Sequence, residues 1–197
     1  MLSFLRRVVR PAVTLLIALT LITGVAYPLA VTAIAQVAFP HQANGSMIVV
    51  DGRTVGSSLI GQVFSDPKYF WGRPSDATSS AAPDGYDGTA SAGSNLGPTS
   101  KTLIDEIAAR VDAERKANGD GPVPVDLVTA SASGLDPDIS PAAAEYQVAR
   151  VAKARGMTED QVRTYVARHT EQPLLGFIGE PRVHVLELNL DLDGLLG

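Results

Sequence analysis

Small hydroxyl and carboxylate side chains are concentrated in residues 128–141, VTASASGLDPDISP, between an apolar run and a helix start. Within this stretch, Ser133-Gly134 matches part of the G-x-S-x-G turn that exposes the nucleophile of many serine hydrolases. Ser131 and Leu135 stand where that turn needs its two glycines. The pattern is incomplete, and we predict no catalytic residue in this chain.

A second serine pattern, S-x-x-K, runs from Ser65 to Lys68. In penicillin-binding enzymes this spacing brings the lysine onto the serine over one helical turn. Pro67 would interrupt that turn, and neither S-D-N nor K-T-G occurs in the chain. An exported serine hydrolase, or a secreted binding domain, stays open as the alternative to the hypothesis developed below.

Patterns for metal ions are also incomplete. Asp136 and Asp138 make a D-x-D, but the calcium loop then needs Asp or Asn and Gly, where this chain has Ser140-Pro141. The chain has no cysteine, which excludes disulfides and thiolate ligands. Its three histidines lack the spacing of a metal site. We predict no metal and no tightly bound cofactor.

Phosphate-binding patterns are equally weak. Residues 93–98, GSNLGP, precede a helix whose N-terminus could receive a phosphate. However, the chain has no G-K-[ST], and no G-x-G-x-x-G follows a predicted strand. Arg73 could pair with an anion, although an arginine beside Phe70 and Trp71 is more typical of a packing or stacking residue.

The N-terminal segment has the pattern of a membrane anchor. Arg6, Arg7 and Arg10 precede residues 11–40, which carry no charged side chain. About 20 apolar residues span a bilayer as a helix, and basic residues favour the cytoplasmic side. We therefore predict a basic cytoplasmic tail at 1–10, a transmembrane helix at 11–39 and an extracytoplasmic domain at 40–197.

A cleaved signal peptide is the competing interpretation of this segment. Ala33-Ile34-Ala35 is an A-x-A pattern after a basic start, as signal peptidase requires. The apolar core is longer than the roughly 7–15 residues of a typical signal peptide, which favours a retained anchor. Gly24 and Pro28 interrupt it, but both are tolerated in membrane helices. Either interpretation exports the rest of the chain.

The exported part is acidic. The chain has 16 basic and 21 acidic residues, and three of the bases lie in the first ten positions. The remainder therefore holds 16 − 3 = 13 bases against 21 acids, a net charge of −8. Such a surface repels phosphate backbones and attracts small cations, so we predict no nucleic-acid partner.

The first half of the exported part is predicted to be a hairpin followed by a long loop. Asp51-Gly52 between two apolar runs is a hairpin signal, and residues 59–64 predict a further strand. Residues 75–94 are rich in small and polar side chains and predict an irregular loop. Apolar residues at helical spacing from Ile104 predict a helix that ends at Asn118-Gly119.

The second half is predicted to alternate strands and helices. Residues 125–129 predict a strand. Ser140 and Pro141 start a helix that Gly156 ends, and Thr158-x-x-Gln161 is a capping box for the next. The alternation in 186–192 predicts a final strand. The predicted fold class is a mixed α/β (α+β) extracytoplasmic domain, tethered by a single N-terminal transmembrane helix.

Several segments, in order over nearly the whole chain, resemble the family of C subunits of Kdp potassium-transporting ATPases. They are GSSLIGQVF (56–64), YFWGRPS (69–75), SAGSNLGPTS (91–100), the long segment 124–156 that contains VTASASGLDPDISP, and IGEPRVHVLELNLDLD (178–193). Two departures are Ala92, where a glycine is expected, and Asp138, where histidine or asparagine is frequent.

The resemblance implies a non-catalytic subunit, held in the plasma (inner) membrane, of a complex that imports potassium at the expense of ATP. Its partners would be a channel-like A subunit, an ATP-hydrolysing B subunit and a small F subunit, besides membrane lipid. The matching segments supply the candidate partner contacts, which are Gly24, Pro28, Tyr69, Phe70, Gly72, Arg73, Asn95, Gly97 and Asp136.

The family's C subunit is also described as a catalytic chaperone that raises the affinity of the ATPase subunit for ATP. The resemblance assigns the nucleotide to Ser131, Ser133, Gly134 and Gln147. The predicted topology puts these residues outside the cell, where ATP is not available. We therefore expect ATP to act through the complex, with indirect coupling rather than a direct nucleotide contact.

Overall fold

The apolar N-terminal segment is helical. The computed structural model describes residues 2–196, and this segment contains helices α1 (Leu2–Leu21), α2 (Tyr27–Ala38) and α3 (Pro40–Ala43). A stretch from Arg7 to Ala38 is long and apolar enough to cross a membrane, and none of it is buried. The predicted single apolar helix is therefore present, with the length and composition of a membrane span.

A π-helical turn, Ile22–Ala26, separates α1 from α2. Pro28 lacks the N–H that an α-helix would donate to the carbonyl of Gly24, four residues earlier. The π-helix occurs mostly as a single-turn bulge inside an α-helix, and both proline and such bulges change the course of a helix. The Gly24 and Pro28 interruption therefore changes the local winding and leaves the helix continuous on both sides.

A second compact unit begins at Met47 with the predicted hairpin. Strands β1 (Met47–Val50) and β2 (Arg53–Ser57) are antiparallel. Asp51 and Gly52 join them with φ angles of 51° and 75°. Two successive left-handed residues match the right-handed twist of the strands, which is why Asp-Gly is favoured here. The hairpin prediction is confirmed.

The strand predicted at 59–64 is wrong. This segment forms only an isolated bridge between Ser57 and Ile60. The N–H of Gly61 donates to the carbonyl of Leu135 at 3.0 Å, so it bonds to a turn instead of a neighbouring strand. Its apolar residues satisfy strand propensity, but the chain offers them no strand to pair with.

The irregular loop predicted at 75–94 is confirmed, since no helix or strand is found in this described stretch. Internal bonds order it. The hydroxyl of Ser75 accepts hydrogen bonds from the N–H groups of Ala77 (3.2 Å) and Tyr86 (2.8 Å). The Tyr86 hydroxyl donates to the carbonyl of Arg73 at 2.7 Å. The loop is thus a folded surface segment rather than an open connection.

Helices α4 (Lys101–Asn118) and α5 (Pro141–Arg155) end where the sequence predicts, and α5 also begins where it predicts. The Ser140 hydroxyl accepts a hydrogen bond from a free N–H of the first turn of α5, at 3.0 Å. Gly156 ends α5 in the left-handed conformation, with φ of 66°, and its amide bonds back to the last turn.

Helix α6 (Glu159–Arg168) carries the predicted capping box. The Gln161 N–H donates to the Thr158 hydroxyl at 3.2 Å, and the Thr158 N–H donates to the Gln161 side-chain oxygen at 2.9 Å. Val162, on the apolar face, is fully buried. The third predicted helix is confirmed.

The strand predicted at 125–129 is wrong, because Val125–Leu127 is a single 3-10 turn. The carboxylate of Asp126 accepts hydrogen bonds from the N–H and the hydroxyl of Ser140, at 2.7 and 3.1 Å. A tight turn brings this carboxylate back onto the start of α5, and an extended strand would carry the chain past it. The β-branched residues of 125–129 favour a strand, and for this reason the sequence predicted the wrong element.

The strand predicted at 186–192 is also wrong, because Val185–Leu192 forms helix α7. Leu188 and Asn189 are both buried, although a strand would place adjacent residues on opposite faces. A helix puts them on one face, together with the residues three or four positions away. The alternation of leucine with polar residues hides this second pattern, which has the helical period.

A small sheet and four helices complete this unit. Strands β3 (Asp138–Ile139), β4 (Thr170–Glu171) and β5 (Arg182–His184) form an antiparallel sheet in the order β3-β5-β4. The core residues are Phe70, Leu127, Ile139, Ala143, Ala144, Val148, Val151, Ala152, Val162, Val183, Val185 and Leu188. The mixed α and β class is therefore confirmed.

Candidate functional site

The turn at residues 131–134 holds the long loop in place through main-chain atoms. The carbonyl of Ser133 accepts hydrogen bonds from the N–H of Ala92, at 3.0 Å, and from the hydroxyl of Ser91, at 2.9 Å. The carbonyl of Gly134 accepts one from the hydroxyl of Ser75, at 2.5 Å. We name residues 131–134 the Ser-Gly turn.

Gly134 is the point of closest approach in the Ser-Gly turn. Its φ is 66°, a left-handed conformation that glycine adopts without steric cost. A Cβ atom at this position would lie 2.5 Å from the Ala92 carbonyl oxygen and 2.7 Å from the Ala77 nitrogen. Two segments of the long loop, at Ala77 and Ala92, therefore pack directly onto the backbone of Gly134. Any side chain at this position would push them away.

The hydroxyls of the Ser-Gly turn make their hydrogen bonds within or next to the turn. Ser131 is buried, and its oxygen lies 3.4 Å from the hydroxyl of Ser133. The Ser133 oxygen accepts a hydrogen bond from the N–H of Leu135 at 3.1 Å. Within residues 2–196, neither hydroxyl contacts a side chain that could act as its base. A serine without a base is a weak nucleophile.

The second serine pattern is likewise not assembled. The Lys68 ammonium lies over the ring of Tyr69, 4.8 Å from its centroid. The Lys68 N–H is bonded to the carboxylate of Asp66, in a turn that Pro67 forms part of. No hydrogen bond joins Lys68 to Ser65 in the described chain, so the lysine is not placed to activate that serine.

Gln147 contacts a different part of the chain. Its side chain is completely buried, and its oxygen accepts a hydrogen bond from the N–H of Trp71 at 2.8 Å. Its amide nitrogen donates to the carbonyls of Trp71, at 3.1 Å, and of Ala143, at 3.2 Å. Ser131, Ser133 and Gly134 thus share one turn, while Gln147 is committed to the backbone at Trp71.

Asn189 makes the matching contact one residue earlier, and the sequence analysis missed it. Its oxygen accepts from the N–H of Phe70 at 2.8 Å, and its nitrogen donates to the carbonyl of Phe70 at 2.9 Å. Asn189 and Gln147 together hydrogen-bond to the main-chain N–H and carbonyl groups of Phe70 and Trp71. We call this arrangement the amide clamp. A polar amide within the apolar face of a helix is the signal that could have found both residues.

Arg150 supports the amide clamp and was also missed. Its guanidinium donates to the side-chain oxygen of Gln147 at 2.7 Å and to the carbonyls of Pro67 and Tyr69 at 2.7 and 2.9 Å. It also lies 3.8 Å from the centroid of the Trp71 ring. Burial lowers the pKa of Arg150 to about 10.

Arg73 and Asp136 are two of the candidate partner contacts, and the fold brings them together. The guanidinium and the carboxylate are 2.9 Å apart, and both side chains are partly buried. The hydroxyl of Tyr86 bonds to the Arg73 carbonyl, and burial, with a smaller effect of Asp136, raises the pKa of Tyr86 to about 12. A side chain at Gly72 would meet this hydroxyl. This group packs the long loop onto the helical half.

The remaining candidate contacts are dispersed. The Tyr69 hydroxyl donates to the carboxylate of Asp193 at 2.7 Å, whereas the Phe70 side chain is in the core and has no exposed surface. Asn95 has a φ of 55° and donates to the carbonyl of Gly93 at 2.9 Å, and Gly97 is exposed with open space around it. Only the exposed positions offer a surface to a partner.

A cleft of about 440 Å³ opens between the Arg73–Asp136 pair and strand β5, with Glu180 and Arg182 on its far wall. Asp138 lies at the base of this wall. Its carboxylate is 2.7 Å from Nδ1 of His184 and 3.2 Å from Nε of Arg182. Among the described residues, no group of three or more acidic or histidine side chains could hold a metal ion. The charges here pair with one another across the sheet.

The pairing at His184 makes stability depend on pH. The carboxylate of Asp138 is the main cause that raises the pKa of His184 to about 9, with Glu171 and Glu187 adding to it and burial opposing it. The ordinary pKa is about 6.5, so this stabilisation is complete below about pH 6.5 and is lost as the pH rises through about 9.

We expect the free energy of unfolding of the wild type to fall by roughly 2 kcal/mol more than that of His184→Gln between pH 6 and pH 10. The glutamine keeps a polar side chain but cannot carry the charge. Urea unfolding of both chains at several pH values measures the difference. Equal pH slopes for the two chains would contradict this role of His184.

Comparison with known proteins identifies the family. A family model described as "K+-transporting ATPase, c chain", KdpC, matches residues 9–194, which is nearly the whole chain. The chain belongs to the KdpC family. Proteins named "Potassium-transporting ATPase KdpC subunit" are similar over nearly their full length.

The KdpC subunit of Sorangium cellulosum is 66% identical over 187 residues, which cover 94% of this chain and 96% of the relative. The KdpC subunit of Polaromonas naphthalenivorans is 58% identical over 193 residues, with 97% and 96% covered. That of Variovorax paradoxus is 58% identical over 191 residues, with 96% and 97% covered. The residues matched by the family model span the Ser-Gly turn, the amide clamp and most of the apolar N-terminal segment.

Proposed function

We propose that this chain is a non-catalytic accessory subunit of a high-affinity, ATP-driven potassium import complex. The observation that carries the proposal is the match to KdpC over residues 9–194, with relatives named as subunits of a potassium-transporting ATPase. The unassembled serine patterns support a non-catalytic role. Its partners are the channel-like A subunit, the ATP-hydrolysing B subunit and the small F subunit.

The chain lies in the plasma (inner) membrane with its N-terminus in the cytoplasm and the bulk of its residues outside. Arg6, Arg7 and Arg10 support this orientation, because basic residues next to a membrane helix favour the cytoplasmic side. The exported part packs over the outer mouth of the channel-like subunit. Its net charge of −8 (13 bases against 21 acids) draws cations toward that mouth.

The chain raises the ATP affinity of the ATPase subunit indirectly, through its contacts with partner subunits. Gln147 is buried with its amide engaged by Trp71, and the Ser-Gly turn is engaged by the long loop. Both arrangements favour a scaffold over a nucleotide site. Coupling through the membrane needs an equilibrium that the chain and ATP both bias, and partner subunits supply it.

The orientation is tested by labelling single cysteines, which are unambiguous because the natural chain has none. We expect Ser80→Cys, in the exposed part of the long loop, to react with a membrane-impermeant maleimide in intact spheroplasts. The matched variant Ser3→Cys, on the N-terminal side of the apolar stretch that begins at Arg7, reacts only after the membrane is permeabilised. The opposite pattern of labelling would overturn the proposed location.

A further inference from the structure

The connection between β4 and β5 is a second, narrower hairpin with an apolar end. The N–H of Leu174 donates to the carbonyl of Ile178 at 3.0 Å, and the N–H of Ile178 donates to the carbonyl of Leu174 at 2.9 Å. Proline residues flank it at positions 173 and 181. We name residues 174–178, LLGFI, the apolar tip.

The side chains of the apolar tip are turned away from the protein. Leu174, Leu175 and Phe177 are 68%, 75% and 76% exposed, and Ile178 is 50% exposed. Single exposed apolar residues are ordinary on protein surfaces, but four within five positions make a contiguous patch. Contiguous apolar patches mark sites of contact with another molecule.

Leu175 adds a conformational observation. Its φ is 56°, in the left-handed region that glycine and asparagine favour and branched apolar residues avoid. Its side chain is three-quarters exposed, so packing within residues 2–196 does not compensate for this conformation. Strained backbone is concentrated at binding and switching sites, where the side chain that it presents has a role.

The charges around the tip decide between a membrane surface and a protein. Segments that bind anionic lipid are rich in lysine and arginine. Here the flanking acids are Glu171 and Glu180, and the positive groups nearby, Arg182 and His184, already pair with Glu171 at 2.6 and 3.0 Å. Glu180 makes no ion pair within the described part of the chain. An unpaired acidic side chain next to the apolar tip disfavours anionic lipid and complements a basic protein surface.

We propose that the apolar tip inserts into an apolar pocket on a partner subunit of the transport complex, with a basic side chain of that subunit facing Glu180. This inference rests on the proposed function, since it names the docking element of the accessory subunit. Apolar and aromatic anchors in desolvated pockets dominate the affinity of most interfaces. Leu175 and Phe177, the most exposed members of the tip, are the anchors of this one.

The strain at Leu175 gives a variant that separates binding from folding. Leu175→Gly removes the side chain and also relieves the left-handed conformation, so it does not lower the melting temperature. We expect it to weaken the affinity of the full chain for the rest of the complex about tenfold. Ile104→Ser, at a similarly exposed apolar residue of α4, is the matched control and leaves the affinity within about twofold.

Assembly is measured by titrating the full-length chain in detergent against the complex purified without it. Failure of the wild type to assemble would overturn the proposed function. Normal assembly of the wild type with equal affinity for Leu175→Gly would overturn the role of the tip alone. The two failures are therefore distinguishable.

The partner is identified by a photoreactive residue. With p-benzoylphenylalanine in place of Phe177, illumination of the whole complex in lipid nanodiscs yields a covalent adduct with another subunit. The same residue in place of Ile104 yields less of it. Adducts with lipid alone, adducts only with a second copy of this chain, or a yield at Phe177 no higher than at Ile104 would each overturn the proposal.

Discussion

Gly134→Ala is expected to lower the free energy of unfolding by about 2–5 kcal/mol. Two effects add. Alanine in the left-handed region costs about 1–2 kcal/mol, and forcing atoms into a packed site costs roughly 1–3 kcal/mol more. The second effect is large here because the new Cβ would lie 2.5 Å from the carbonyl oxygen of Ala92 and 2.8 Å from the Cβ of Ala77. Neither of these atoms can rotate out of the way.

Gly156 supplies a control with the same backbone conformation and no crowding. Its φ is also 66°, but a Cβ atom there would meet nothing within 4 Å. Gly156→Ala therefore isolates the conformational cost, about 1–2 kcal/mol. The difference between the two variants measures how tightly the long loop is packed on the Ser-Gly turn.

Both variants can be followed by the fluorescence of Trp71, the single tryptophan of the chain, which lies under Arg150 in the folded state. Urea unfolding of the full-length chain in detergent gives the free energies. Equal losses of stability in Gly134→Ala and Gly156→Ala would show that the loop is not held against this glycine.

Gln147→Leu is expected to have a similarly large effect, lowering the free energy of unfolding by about 2–5 kcal/mol. Leucine has nearly the same volume but cannot bond to the main chain of Trp71. The N–H and carbonyl of Trp71 would then lose their partners at 2.8 and 3.1 Å, and one guanidinium bond of Arg150 would be lost with them. A partly buried polar group without a partner costs about 1–3 kcal/mol.

Gln161→Ala is the matched control, because Gln161 also bonds to a backbone N–H but does so on the surface, at the start of α6. Its loss costs about 0.5–1 kcal/mol.

Isothermal calorimetry with ATP distinguishes a structural role of Gln147 from a role in a nucleotide site. Saturable binding of ATP to the full-length wild type, abolished in a Gln147→Leu chain that still folds, would contradict the structural role of this residue.

The elements that carry local signals were predictable from the sequence. Asp51-Gly52 determines its hairpin through two left-handed residues, and Ser140 and Thr158 determine helix starts through hydrogen bonds to residues three positions away. Gly156 ends its helix for an equally local reason. In each case the groups that form the signal lie within four residues of each other.

The elements that were wrong depend on partners far along the chain. Residues 59–64 have the composition of a strand, but Gly61 bonds to Leu135. In 186–192 the leucine alternation fits a strand, but Asn189 is buried and bonds to Phe70, 119 residues earlier. No local pattern contains either partner.

The same distinction applies to the candidate site. Ser131, Ser133 and Gly134 were predicted to share a turn, and they do. The partner of Gln147 could not be predicted, because Trp71 is 76 residues away. The apolar tip could not be predicted as a surface, because LLGFI has the composition of a core segment. Only the structure shows that it is exposed.

The amide clamp has a consequence for the order of folding. The main chain of Phe70 and Trp71 is made early in synthesis, but its two partners follow 76 and 119 residues later. Contacts so distant in sequence form slowly, because the intervening chain must close a long loop first. The Trp71 half of the clamp therefore waits for α5, and the Phe70 half waits for α7. Among residues 2–196, α7 is the element that supplies Asn189 and thus the Phe70 half of the clamp.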